Sequence, residues 1–120
     1  MALESKEALR NAQRKWKQET VHLPDIQNDV LIREWSGGQR AEWEFYVFTH
    51  KVGDVHNHRD AVLKAVQLSL VNAAGKRLYE ERELNELGDI LSHRDMEVLY
   101  AAIDKLNVLS KKAEETEQKN

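Results

Sequence analysis

Three histidines crowd one short stretch of this chain. His56 and His58 form a His-x-His pair, with His50 just upstream. Neutral imidazoles bind zinc, and Asp54 or Asp60 could add oxygen ligands. The plainer reading is a polar link between helices that is rich in histidine. The pair has no partner motif, and the chain has no Cys to supply a thiolate, so no metal is expected. Carboxylates are plentiful, as in Glu80-Glu81 or Glu97 with Asp104. General acid–base work needs two carboxyls in one partly buried pocket, whereas an acidic run reads first as a solvated face. Ser36-Gly37-Gly38 lacks the Lys-Ser/Thr of a phosphate loop and the glycine spacing of a dinucleotide fold. It is better read as the start of a helix. No catalytic residue and no cofactor site emerges, so the chain is not read as an enzyme.

Two stretches suit binding instead. Five of the eight aromatic residues lie between Trp35 and Phe48. In a helix advancing about 100° per residue, Trp43, Phe45, Tyr46 and Phe48 point in separated directions. One core face cannot take all four, so the helix is either sandwiched or partly covered by a partner. Large rings are enriched in binding hot spots. The other stretch is the N-terminus, where Lys6, Arg10, Arg14, Lys15 and Lys17 face only Glu4 and Glu7. Its basic face could follow a nucleic-acid backbone or make pairs along its own helix. With a net charge of −3 overall, nucleic acid is not the favoured partner. Tight binding that weakens steeply with salt would be its signature.

The elements that must position these residues can be read in order. At 120 residues and 32% charged, the chain is one domain's worth, with long solvated helix faces. No apolar run approaches a membrane span, and the first residues lack the apolar core of a signal peptide. A reducing compartment fits the absence of Cys. The fold class expected is mainly α: a small domain of four to five helices with a short N-terminal β-hairpin. Residues 1–18 form a basic helix, 19–110 a helical core with the hairpin, and 111–120 a polar, disordered tail.

In detail, Met1–Lys17 is expected to be helical on a thin edge of Leu9, Ala12 and Trp16. Thr20–Leu23 and Val30–Glu34 form the hairpin, with Pro24 ending its first strand. Ser36 and Gln39 have capping-box spacing, which predicts a helix over 37–49. Asn57 caps a central helix over 60–72, with Asp60 in its first turn and Gly75 as its stop. Leu84 and Leu87 anchor a single turn. Ser92 with Asp95 opens a last helix, whose inward stripe is Met96, Leu99, Ile103 and Leu106.

Three of these stretches carry a resemblance. They are the hairpin running into Val30-Leu31-Ile32-Arg33-Glu34-Trp35-Ser36-Gly37, the run Ala65–Tyr79 through Gly75 to an acidic turn, and Ile103-Asp104-Lys105-Leu106-Asn107 before a charged tail. Their order over residues 19–120 resembles the tail assembly chaperones of long-tailed bacteriophages. The resemblance leaves the first helix unexplained. It implies a non-enzymatic protein of the host cytoplasm, absent from the mature virion, that coats the tape measure protein while tail tube protein assembles round it. It also implies two product lengths through ribosomal frameshifting, of which this is the short form. Trp43, Phe45, Tyr46 and Phe48 are then the candidates for client or self contact. Arg10, Arg14 and Lys15 would meet an acidic face such as Glu80, Glu81 and Glu83 of a neighbouring copy in a weak homo-oligomer. The alternative is a small helical adaptor, regulatory or associated with nucleic acid.

Overall fold

Val21 and Leu23 alternate with polar residues and turn inward with Ile32 of the facing strand, and these residues build the first layer. The computed structural model describes residues 2–12, 15–50 and 57–110. Arg14, Asp54, His56 and the tail over 111–120 lie outside them. Strand β1 (Gln18–Leu23) pairs antiparallel with β2 (Asn28–Arg33), from Gln18 opposite Arg33 to Leu23 opposite Asn28. The expected hairpin is therefore present, and Pro24, which has no N–H for the ladder, follows the last residue of β1.

Helix α1 spans only Lys6–Asn11 and buries nothing. Its Ser5 cap is intact, but Ala12 turns extended (ψ 117°) and residues 15–17 are not helical. A helix over Met1–Lys17 is thus not formed. The chain before Gln18 joins the hairpin instead: Glu34 N–H donates to the Lys17 carbonyl at 2.8 Å. Trp16 lies under the Arg33 guanidinium, 4.6 Å from ring centroid to Cζ, a cation–π contact.

Helix α2 (Gly37–Thr49) starts as expected. Ser36 Oγ accepts the Gln39 N–H at 3.1 Å, and Gln39 Oε1 accepts the Ser36 N–H at 2.9 Å. Helix α3 (His58–Ser69) is capped by Asn57, which accepts the Asp60 N–H. Nearly every residue from Ala61 on is buried, so α3 is the central helix.

The end of α3 differs from the sequence reading. The chain becomes extended at Leu70 and forms β3 (Leu70–Val71), which pairs antiparallel with β2 through Leu31–Val71 and Ile32–Leu70. The sheet order is β1-β2-β3. The free edge of β2 needs a ladder partner, and two apolar residues can satisfy it while staying buried. Gly75 is accordingly no helix stop. At φ 80° it turns the chain between Val71 and Arg77, where only a residue without Cβ is unstrained.

A 3₁₀ turn (Glu81–Glu83) leads into α4 (Leu84–Ile90), longer than the single turn expected, with Leu87 buried. Helix α5 (His93–Asn107) is capped by Ser92 and buries Met96, Leu99 and Ile103. Among the described residues there are thus five helices and one three-stranded antiparallel sheet. One core joins Leu23 and Ile32 of the sheet to Val66 of α3, Leu87 of α4 and Leu99 of α5.

Buried polar groups staple distant parts together. Asp95 is fully buried, and its carboxylate accepts the N–H groups of Asp25 at 3.0 Å and Ile26 at 3.2 Å. Trp35 N–H donates to Asn107 Oδ1 at 2.7 Å, and its indole donates to Ser69 Oγ at 2.7 Å. Asp95→Ala strips the Asp25 and Ile26 amides of a charged acceptor. It should lower the unfolding free energy by about 2–4 kcal/mol, measured by urea titration. Thr20→Ala on the exposed side of β1 should stay within about 0.5 kcal/mol.

Candidate partner-binding surface

Helix α2 is thirteen residues long and has no buried residue. It rests on α3 along one side, and the helical period sorts its rings accordingly. Trp43 and Tyr46, three residues apart, lie on the packed side and are half-buried. The Trp43 indole donates to the Ala61 carbonyl at 2.9 Å, and its ring lies 5.5 Å from that of Trp35. Tyr46 stacks on His50 at 3.8 Å between centroids. Phe45 and Phe48 lie on the other side, 70% and 60% exposed. The four rings singled out from the sequence thus form two pairs, and only Phe45 and Phe48 present broad apolar surface to solvent.

A cleft of about 460 Å³ opens between α2 and the body, lined by Trp43, Val47, Phe48, His58, Ala61 and Tyr100. A neighbouring cleft of about 410 Å³ lies among α3, α4 and α5, over Val62, Leu63, Leu91 and Met96. His58 lines both. Its Nε2 lies 3.1 Å from Glu97 Oε1, and its ring meets Tyr100 edge-on at 5.6 Å.

Beneath α2 lies a group that the sequence reading did not single out. Lys64 is fully buried, and its ammonium donates to Glu42 of α2 at 2.8 Å, Gln67 of α3 at 2.9 Å and Glu81 of the 3₁₀ turn at 3.1 Å. Gln67 donates in turn to the Tyr79 carbonyl at 2.9 Å. The acidic connector is therefore more than a solvated face: Glu81 holds Lys64, and Glu83 accepts the Glu80 N–H at 2.9 Å. The signal available in the sequence was a Lys on the apolar face of a central helix, one turn from Gln67.

Arg10 and Lys15 are exposed near the N-terminus. His50 Nδ1 is taken up by the Tyr46 carbonyl at 2.9 Å, while His58 turns to Glu97. Among the described residues no group of three or more His, Asp or Glu is placed to hold a metal ion, and no helix is long and apolar enough to cross a membrane. Asp104 closes the end of α5 by accepting the N–H groups of Leu109 and Ser110.

A buried central helix, a hairpin completed into a three-stranded sheet by a short strand after that helix, and a capped last helix make up a fold that is similar to one already solved. One solved structure it matches is the tail assembly chaperone of bacteriophage HK97, with a TM-score of 0.54 and 20% identity over 82% of this chain and 89% of that one. At this identity the likeness is one of fold. No protein-family model matches the chain, and no curated protein matches it by sequence.

The division of the rings into a packed pair and an exposed pair predicts different effects on stability. Phe45→Ser with Phe48→Ser should change the unfolding free energy by less than about 1 kcal/mol. Trp43→Ala should lower it by about 2–3 kcal/mol, because it removes packing and a hydrogen bond. Denaturant titration of the two variants checks both.

The phenols add a pH dependence. Burial raises the Tyr46 pKa above its ordinary 10.0, with Asp60 and Glu81 adding to the shift. Burial likewise raises that of Tyr100, with Asp104 and Glu97 adding and Arg40 opposing. Below pH 10 both phenols are protonated, folded or unfolded. As pH rises further the unfolded chain ionises first, so this contribution to stability is lost through the raised folded values. Tyr100→Phe should flatten the fall in thermal midpoint above pH 10.

Proposed function

We propose that this protein is a tail assembly chaperone of a long-tailed phage, acting by binding other polypeptides without transforming a substrate. The observation that carries the reading is the fold shared with the HK97 tail assembly chaperone across most of both chains. The client is the tape measure protein, held soluble while tail tube protein assembles round it. The work takes place in the host cytoplasm, and the chaperone leaves before the virion is complete.

The surface best suited to the client is the outer side of α2 with the adjoining cleft. Phe45 and Phe48 stand in solvent among charged neighbours such as Glu44, itself paired to Arg40 at 2.7 Å. Rings bordered by charge hold an apolar helix stripe without closing into a permanent core. Arg10, Arg14 and Lys15 supply a basic end for weak self-association, so that many copies line one client.

Co-expression with the tape measure protein of the same phage tests this reading. The wild-type chain should keep the client soluble and co-purify with it. The Phe45→Ser, Phe48→Ser double variant, folded as judged by its unfolding midpoint, should leave most of the client in the pellet. An insoluble client with the wild-type chain would count against the chaperone reading. A soluble one with the double variant would move the site away from α2.

A further inference from the structure

We propose that α2 is a flap: it lifts from α3 and α5 as a unit while the rest of the domain stays folded, and its opening widens the cleft beneath it. The contrast between how α2 is held and how the body is held carries this. Separating α3 from α5 or the sheet would uncover Leu23, Ile32, Val66, Leu99 and Ile103, all fully buried. Lifting α2 uncovers no residue of its own that is fully buried.

The polar tethers of α2 point the same way, because breaking them strands no buried group. Lys64 loses Glu42 but keeps Glu81 and Gln67. A buried ammonium stripped of its only carboxylate would be strongly destabilising; one shared between two elements can release either. The Ala61 carbonyl gives up the Trp43 indole yet lies within α3, where it keeps its helical acceptor role. Arg40 donates to the Asn107 carbonyl at 3.2 Å, which ends α5, where carbonyls lack an intrahelical partner and can take one from water. The pivot is at hand in Gly37-Gly38, the first two residues of α2. A Cβ would meet nothing within 4 Å at Gly37, and only Ser36 Oγ at 3.8 Å at Gly38. Regions held by few buried apolar contacts open at free energies well below global unfolding.

The opening stands on the structure alone. Its use, admission of the client to the cleft between Trp43, Val47, Ala61 and Tyr100, rests on the chaperone reading. Native-state hydrogen exchange on the full chain, without client, tests the opening. Once lifted, a thirteen-residue helix is marginal in water and opens its own hydrogen bonds, so amides from Trp43 to Val47 should exchange at least about tenfold faster than those of Ala65–Ser69 and Leu99–Ile103. Glu42→Gln should speed exchange in α2 several-fold while leaving α3 and α5 within twofold, and Arg40→Ala should do the same through a separate tether. Equal protection of the three helices, or a uniform rise in both variants, would overturn the flap.

The chain has no cysteine, so Val47→Cys with Ala61→Cys can be bridged cleanly by a short bismaleimide across the cleft. The bridged protein should keep much less of the tape measure protein soluble than the same double variant left unbridged. Full capacity after bridging would uncouple opening from client entry. Failure of the wild-type chain to solubilise the client would strike the chaperone reading and leave the exchange result standing.

Discussion

Lys64 carries a positive charge into the interior, and carboxylates from two other elements must meet it there. An unpaired ammonium at that depth is far less favourable than a paired one, so the seating of α2 and of the connector before α4 is not independent. Glu42 draws α2 down onto α3, Glu81 draws the 3₁₀ turn in from the other side, and Gln67 completes the ammonium's three donor contacts. The arrangement explains how a helix without one buried residue still has a defined place. It also explains why the acidic connector is rich in Glu where a plain solvated loop would not need to be.

The same constraint orders the exposed side of α2. With one side of α2 committed to Lys64, Trp35 and Ala61, the rings three residues apart on the opposite side have nowhere to go but outward. Phe45 and Phe48 are therefore exposed as a consequence of how α2 is anchored. Their exposure carries little risk for the fold, because the core that joins the sheet to α3, α4 and α5 does not include them. Exposure and packing are divided between two faces of one helix.

Much of this was legible in the residues. Caps were readable because a short polar side chain and its partner three residues on satisfy the same orphan amides in any context, as at Ser36, Asn57 and Ser92. The stripe Met96, Leu99, Ile103 was readable because its period matches a helix. What was not legible depended on partners distant in sequence. Leu70 and Val71 continue the apolar pattern of α3, and only the open edge of β2 converts them to strand. Lys64 looked like one polar residue in an apolar helix until Glu42 and Glu81 came to it. The rings of α2 could be seen as too many for one face, but which pair turns inward depends on where α3 lies. The first helix was overextended because Lys17 and Glu34 compete for its last residues with a ladder bond.

The buried carboxylate of Asp95 has a consequence for how the chain comes into being. The amides of Asp25 and Ile26, at the tip of the hairpin, have their acceptor some seventy residues later in the sequence. Trp35, at the far end of the same hairpin, waits for Asn107 in the same way. During synthesis the hairpin can form early, yet neither of its ends is secured until the last helix has left the ribosome. Contacts this long-ranged are closed late and slowly. The nascent chain therefore emerges with its sheet provisional, and the domain becomes whole only once α5 has emerged.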